Sequence, residues 1–192
     1  KDEIRVTFTD PLVADTDEDG LKDGTENKLS LNPLVKDTDS DGILDGEEVY
    51  TQTTETFIGD DESVIESVSV TVPCAGEIDE QFFIADASGW DEIAANVVGI
   101  VGVPVEIATD IEFEEAILTF QYDPALLNGA SEDNLGILWY DKENLEFVEM
   151  ENVTVDKTQH TVSCVTTHFS EYLVVDMKEW TDTWLSQTDY SQ

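Results

Sequence analysis

From Val64 onward, apolar residues fall into short runs that alternate with polar ones, the period of a half-buried strand. Val68, Val70 and Val72 define the first run, and Val101, Val103, Val105 and Ile107 the next. Ile117–Tyr122, Leu135–Tyr140, Glu146–Glu149, Thr161–Val165 and Tyr172–Val175 follow, most of them bounded by Asn, Asp, Gly, Lys or Pro. Asp141-Lys-Glu-Asn144 between two runs predicts a hairpin loop. Strands this short and this evenly spaced predict a mainly β chain, with a β-sandwich over residues 64–177. Residues 51–63, rich in Thr and acidic side chains, read as a linker, and the polar stretch 178–192 as a tail leading into a further domain. Residues 1–50 show neither the strand nor the helix period and consist largely of turn-forming and acidic residues.

That first segment repeats itself. Asp15-Thr-Asp17-Glu-Asp19-Gly20-Leu21-Lys-Asp23-Gly-Thr-Glu26 and Asp37-Thr-Asp39-Ser-Asp41-Gly42-Ile43-Leu-Asp45-Gly-Glu-Glu48 both fit D-x-D-x-D-G-x-x-D-x-x-E. The offset is constant and extends to the flanks, where Asp10-Pro-Leu-Val13 corresponds to Asn32-Pro-Leu-Val35. The spacing has a chemical reason. Ca2+ is a hard ion that takes about six to eight oxygens at roughly 2.3–2.6 Å. Carboxylates at positions one, three and five converge when the loop curls, and glycine at position six permits the turn. Leu21 and Ile43 at position seven would each offer a carbonyl and send the side chain into a small apolar cluster. Asp23 and Asp45 at position nine would ligate directly or through water, and Glu26 and Glu48 at position twelve would close the site. Mg2+ prefers six ligands and retained water, so so many carboxylates favour calcium. Without metal the carboxylates repel one another, which predicts calcium-linked folding of this segment.

Charge narrows the partners. Forty-five acidic residues against eight basic ones give a formal net charge of −37. Such a surface repels nucleic acid and anionic lipid. The longest apolar stretch, Ile93–Ala108, is interrupted by Asn96, Pro104 and Glu106, which excludes direct membrane insertion as a helix. Cys74 and Cys164 admit two readings, a disulfide suited to an extracellular setting or two small buried apolar side chains. The opening Lys1-Asp-Glu reads as a cut within a longer exported protein.

The tandem loops share their motif with EF-hands, dockerins and thrombospondin type 3 repeats. Only a short segment containing Pro33 separates Glu26 from Asp37, leaving room for a helix of one or two turns. With Asn32-Pro33-Leu34-Val35 leading into Asp37, residues 10–50 resemble the thrombospondin type 3-like repeats of bacterial surface proteins. That resemblance implies a calcium site in each repeat, with Asp10 and Asn32 as added ligands. The β-region, through Ile117–Pro124, Leu138–Asp141 and Thr167–Tyr172, is similar to domains of bacterial surface proteins that carry a von Willebrand A domain. Together these imply a secreted or cell-surface module. Its partners would be calcium, other domains of its own chain, and surface proteins or glycans. A dockerin-like or carbohydrate-binding module is the adhesive variant, with Trp90, Trp139, Trp180 and Trp184 as candidates for stacking on sugar.

His168-Phe169-Ser170 precedes the last predicted strand. In extended backbone His168 and Ser170 point to one side and Phe169 to the other. The triplet resembles the self-cleavage site of nuclear-pore autoproteolytic domains and of ZU-type β-sandwiches. It implies that His168 acts as general base while Ser170 Oγ attacks the Phe169 carbonyl across a strained peptide bond. An ordinary strand edge has the same residues. No phosphate-binding glycine loop, zinc spacing or nucleophile elbow occurs in the chain.

Overall fold

The computed structural model describes residues 9–10, 12–58, 63–87 and 97–188. The fold is mainly β, a β-sandwich of two five-stranded antiparallel sheets. The strands are β1 (Tyr50–Phe57), β2 (Ile65–Cys74), β3 (Phe82–Asp86), β4 (Ile100–Thr109), β5 (Ala116–Tyr122), β6 (Leu135–Asp141), β7 (Glu146–Glu149), β8 (Thr154–Asp156), β9 (Thr161–Thr166) and β10 (Glu171–Asp176). One sheet has the order β1-β2-β5-β9-β8, the other β3-β4-β10-β6-β7. Among the described residues two α-helices accompany them, α1 (Asp23–Leu29) and α2 (Met177–Thr188).

Seven predicted runs became strands almost to the residue, because alternation marks a sheet with one wet face. In β5, buried Leu118, Phe120 and Tyr122 alternate with more accessible Ile117, Thr119 and Gln121. Strand β10 is different: all six residues are buried. Tyr172 faces the first sheet, where its hydroxyl lies 2.9 Å from Thr166 Oγ1. Leu173 and Val175 face the other way and join Val97 and Leu138 in a second apolar layer, against which Met177 and Trp180 of α2 pack. That is why Tyr172–Val175 reads as an unbroken apolar run.

Two sequence boundaries change. Residues 51–57, read as linker, belong to β1, whose inward positions are the buried polar residues Gln52 and Thr54. The sandwich also does not stop at residue 177, since Trp180 lies on its second layer. Gly136 accommodates α2, because a Cβ there would come within 2.6 Å of Met177 Sδ. Asp176 Oδ1 accepts from Lys178 N and caps the helix start.

The chain forms two compact units. One comprises Lys1–Gln52 with Val72–Gln81, the other Thr53–Thr71 with Phe82–Gln192. The acidic repeats therefore share their unit with the turn after β2. Gln52 Nε2 donates to the carbonyls of Cys74 and Gly76, and Gln81 Nε2 to those of Ala75 and Glu77, which shapes that turn. Among the described residues no helix is long and apolar enough to cross a membrane.

Candidate metal centre

The two loops share the same curl through positions one to six. Asp15 accepts from Glu18 N at 2.7 Å and Gly20 N at 3.1 Å. Asp37 accepts from Asp41 N at 3.2 Å and Gly42 N at 2.9 Å. Gly20 and Gly42 have φ of 107° and 101°, a conformation that favours glycine. Position four also turns left-handed, with φ 60° at Glu18 and 63° at Ser40. Asp19 Oδ1 accepts from Leu21 N, and Asp41 Oδ1 from Ile43 N. The curl brings Asp15, Asp17 and Asp19 together, and likewise Asp37, Asp39 and Asp41, each group offering oxygens within 4.8 Å of one another.

Other sequence expectations are redistributed. Position nine is a clasp: Asp23 accepts from Thr16 N at 2.8 Å and Thr16 Oγ1 at 2.7 Å. Asp45 does the same with Thr38, at 3.0 and 2.7 Å. Position seven differs between the loops. Leu21 is fully buried, whereas Ile43 is 46 % exposed, so the expected apolar anchor forms in the first repeat only. Position twelve differs as well. Glu26 groups with Asp19 and Asp45, while Glu48 accepts from the Tyr50 hydroxyl. Asp10 and Asn32 each build the turn ahead of a loop, accepting from Leu12 N and Leu34 N.

Electrostatics mark the first loop. Both Asp17 oxygens are shielded from solvent and have no hydrogen-bond partner. Desolvation, then Asp19 and Asp15, push its carboxyl above the ordinary range. The Glu26 oxygens are likewise shielded and unpartnered. Burial, with Asp17, Asp19, Asp23 and Asp45 nearby, pushes Glu26 up to about 8. Both carboxyl groups are costly to ionise where they lie, and a cation among them would offset that cost.

Three residues that position the centre were not singled out in the sequence. Gly46 N donates to Asp19 Oδ2 at 3.2 Å. Lys36 Nζ donates to Glu18 O at 2.8 Å, a second tie between the repeats. Glu77 accepts from Lys22 N at 2.5 Å and from Thr25 Oγ1 at 3.1 Å, capping α1 from far along the chain. Pairing over such separations leaves no local pattern to read.

The structure does not pair His168 with Ser170. Ser170 Oγ donates to Tyr140 O at 3.1 Å and lies 2.9 Å from Glu171 Oε2. His168 packs edge-on against Trp139 with centroids 4.4 Å apart, and burial lowers its pKa. Phe169 anchors the segment between Phe82 and Phe113, at 5.4 and 4.7 Å. Cys74 and Cys164 are free, buried thiols, Cys164 pushed up to about 12 by desolvation. Trp139 and Trp180 are engaged in packing, whereas Trp90 and the side chain of Trp184 lie outside the described residues.

Fold and site together define a two-sheet β-protein carrying an acidic tandem-loop unit. The chain matches no family model, no curated protein and no solved structure.

Proposed function

We propose that this chain is a calcium-binding structural and interaction module of a secreted or cell-surface protein, in which the ions order the repeat unit. The observation that carries this reading is Asp17. Its two oxygens are shielded and unpartnered, and it groups with Asp15 and Asp19, which themselves accept from backbone N–H groups. The same curl recurs at Asp37, Asp39 and Asp41. Hard carboxylate oxygens, backbone carbonyls and a flexible loop suit Ca2+ better than Mg2+, which needs a tighter octahedron and retained water. A module of this kind supplies shape, and its partners are other domains of the parent chain, surface proteins or glycans. Calorimetric titration with calcium tests it. Wild type binds with saturable heat. Asp17→Asn and Asp39→Asn each weaken one loop by more than about tenfold, the scale at which even outer-shell changes act. Flat heats for wild type would overturn the reading.

A further inference from the structure

The third carboxylate group belongs to neither loop alone. Asp19 is position five of the first repeat, Glu26 its position twelve, and Asp45 position nine of the second, yet their oxygens lie within 4.8 Å of one another. All three are buried, with relative exposures of 7, 0 and 1 %. Asp19 and Asp45 are held by backbone and threonine donors, Gly46 N on the first and Thr38 on the second. Each of their oxygens has a second lone pair left to offer. Glu26 has neither solvent nor any hydrogen-bond donor at its two oxygens, and one of them lies in the group. A buried ionised carboxylate beside two others is costly unless something positive sits among them.

The backbone is shaped to create this juxtaposition. A Cβ on Gly46 would lie 2.4 Å from Asp19 O and 3.0 Å from Asp19 C. At Gly24, the matching position of the first repeat, a Cβ would meet nothing within 4 Å. Glycine at 46 is thus what permits the second repeat to seat against the first loop and deliver Asp45 to Asp19 and Glu26.

We propose that Asp19, Glu26 and Asp45 hold a divalent cation between the two repeats, in addition to one ion in each loop, with Asp19 shared. The ligand set is all oxygen and anionic. The site is closed to solvent, which favours Ca2+ over Mg2+ with its retained waters. This ion fastens the repeats to each other, where the loop ions order each repeat internally. The proposal rests on the calcium reading of the loops.

Native mass spectrometry of the whole chain at saturating calcium counts the ions. Wild type carries three, and Asp45→Asn and Gly46→Ala each carry one fewer. Gly46→Ala alters no carboxylate, so its loss reports the seating of the repeats, and far-ultraviolet circular dichroism of both variants confirms that the sheets remain. Two ions in wild type, or the full count in both variants, would overturn the inter-repeat site while leaving the loop sites standing. A wild type with none would instead remove the calcium reading itself.

Discussion

At Ser170 the difference between a motif and a mechanism is a matter of where one hydroxyl points. Nucleophilic attack on the Phe169 carbonyl needs a base within hydrogen-bond reach of Oγ. Here Oγ is turned toward Tyr140 O and Glu171, and the His168 ring packs on Trp139. Phe169 is fixed between two phenylalanines, and His168 O accepts from Thr166 Oγ1 and the Tyr172 hydroxyl, so the segment is held in this arrangement. Intact mass under denaturing conditions is expected to show one uncut chain, identical in cleavage state to Ser170→Ala. Two fragments divided after Phe169 in wild type alone would contradict the geometry. The loop aspartates make the opposite case. Their chemistry is local, since Asp15, Asp19, Asp37, Asp39 and Asp41 bond backbone donors two to five residues away, and the curl of the motif therefore carried over into geometry.

Among the elements, α1 shows how a short helix depends on its surroundings. It has seven residues, too few to be stable alone in water. Its N-cap residue, Lys22, makes no side-chain cap, but the Glu77 carboxylate fixes the helix start by accepting from Lys22 N and Thr25 Oγ1. Lys22 Nζ adds an ion pair with Glu80 at 2.7 Å, a partly exposed contact of small weight. A charged hydrogen bond to a buried carboxylate is worth about 1.5–3 kcal/mol. Glu77→Gln is accordingly expected to raise amide exchange across Asp23–Leu29 by about one order of magnitude or more at fixed calcium, whereas Glu80→Gln changes it little. Equal, small effects from both would show that the cap is incidental. Because α1 carries Glu26, the same variant separates the structure of the helix from ligation by its side chain.

For the whole molecule, a net charge of −37 sets the terms. Like charges destabilise the compact state, and Asp19, Asp23, Glu26 and Asp45 of the repeat unit are buried where water screens them poorly. The sheets need no such help, since their centre is apolar, with Phe120, Leu118, Val68 and Val70 fully buried. Removing calcium with a chelator is expected to loosen residues 12–50, seen as a rise in amide exchange there. Protection in β4, β5, β6 and β10 should persist. A single cooperative loss of protection across both regions would show that the ions hold the entire chain together.

What the sequence determined by itself is what short-range periodicity and spacing encode. The alternation of apolar residues located β2, β4, β5, β6, β7, β9 and β10, and the aspartate spacing located the curl of both loops. Strand β1 went unread because its inward positions are Gln52 and Thr54, polar residues that are buried once their side chains and backbone find partners. The tertiary structure alone decided which carboxylates meet. Asp23 and Asp45 turned inward to clasp Thr16 and Thr38, Glu26 met Asp45 of the other repeat beside Asp19 of its own, and Gly46 brought the second repeat onto Asp19. Nothing in a repeat's own sequence specifies its neighbour's approach. That depends on packing between segments, where a missing Cβ at one glycine sets a distance that no local pattern records.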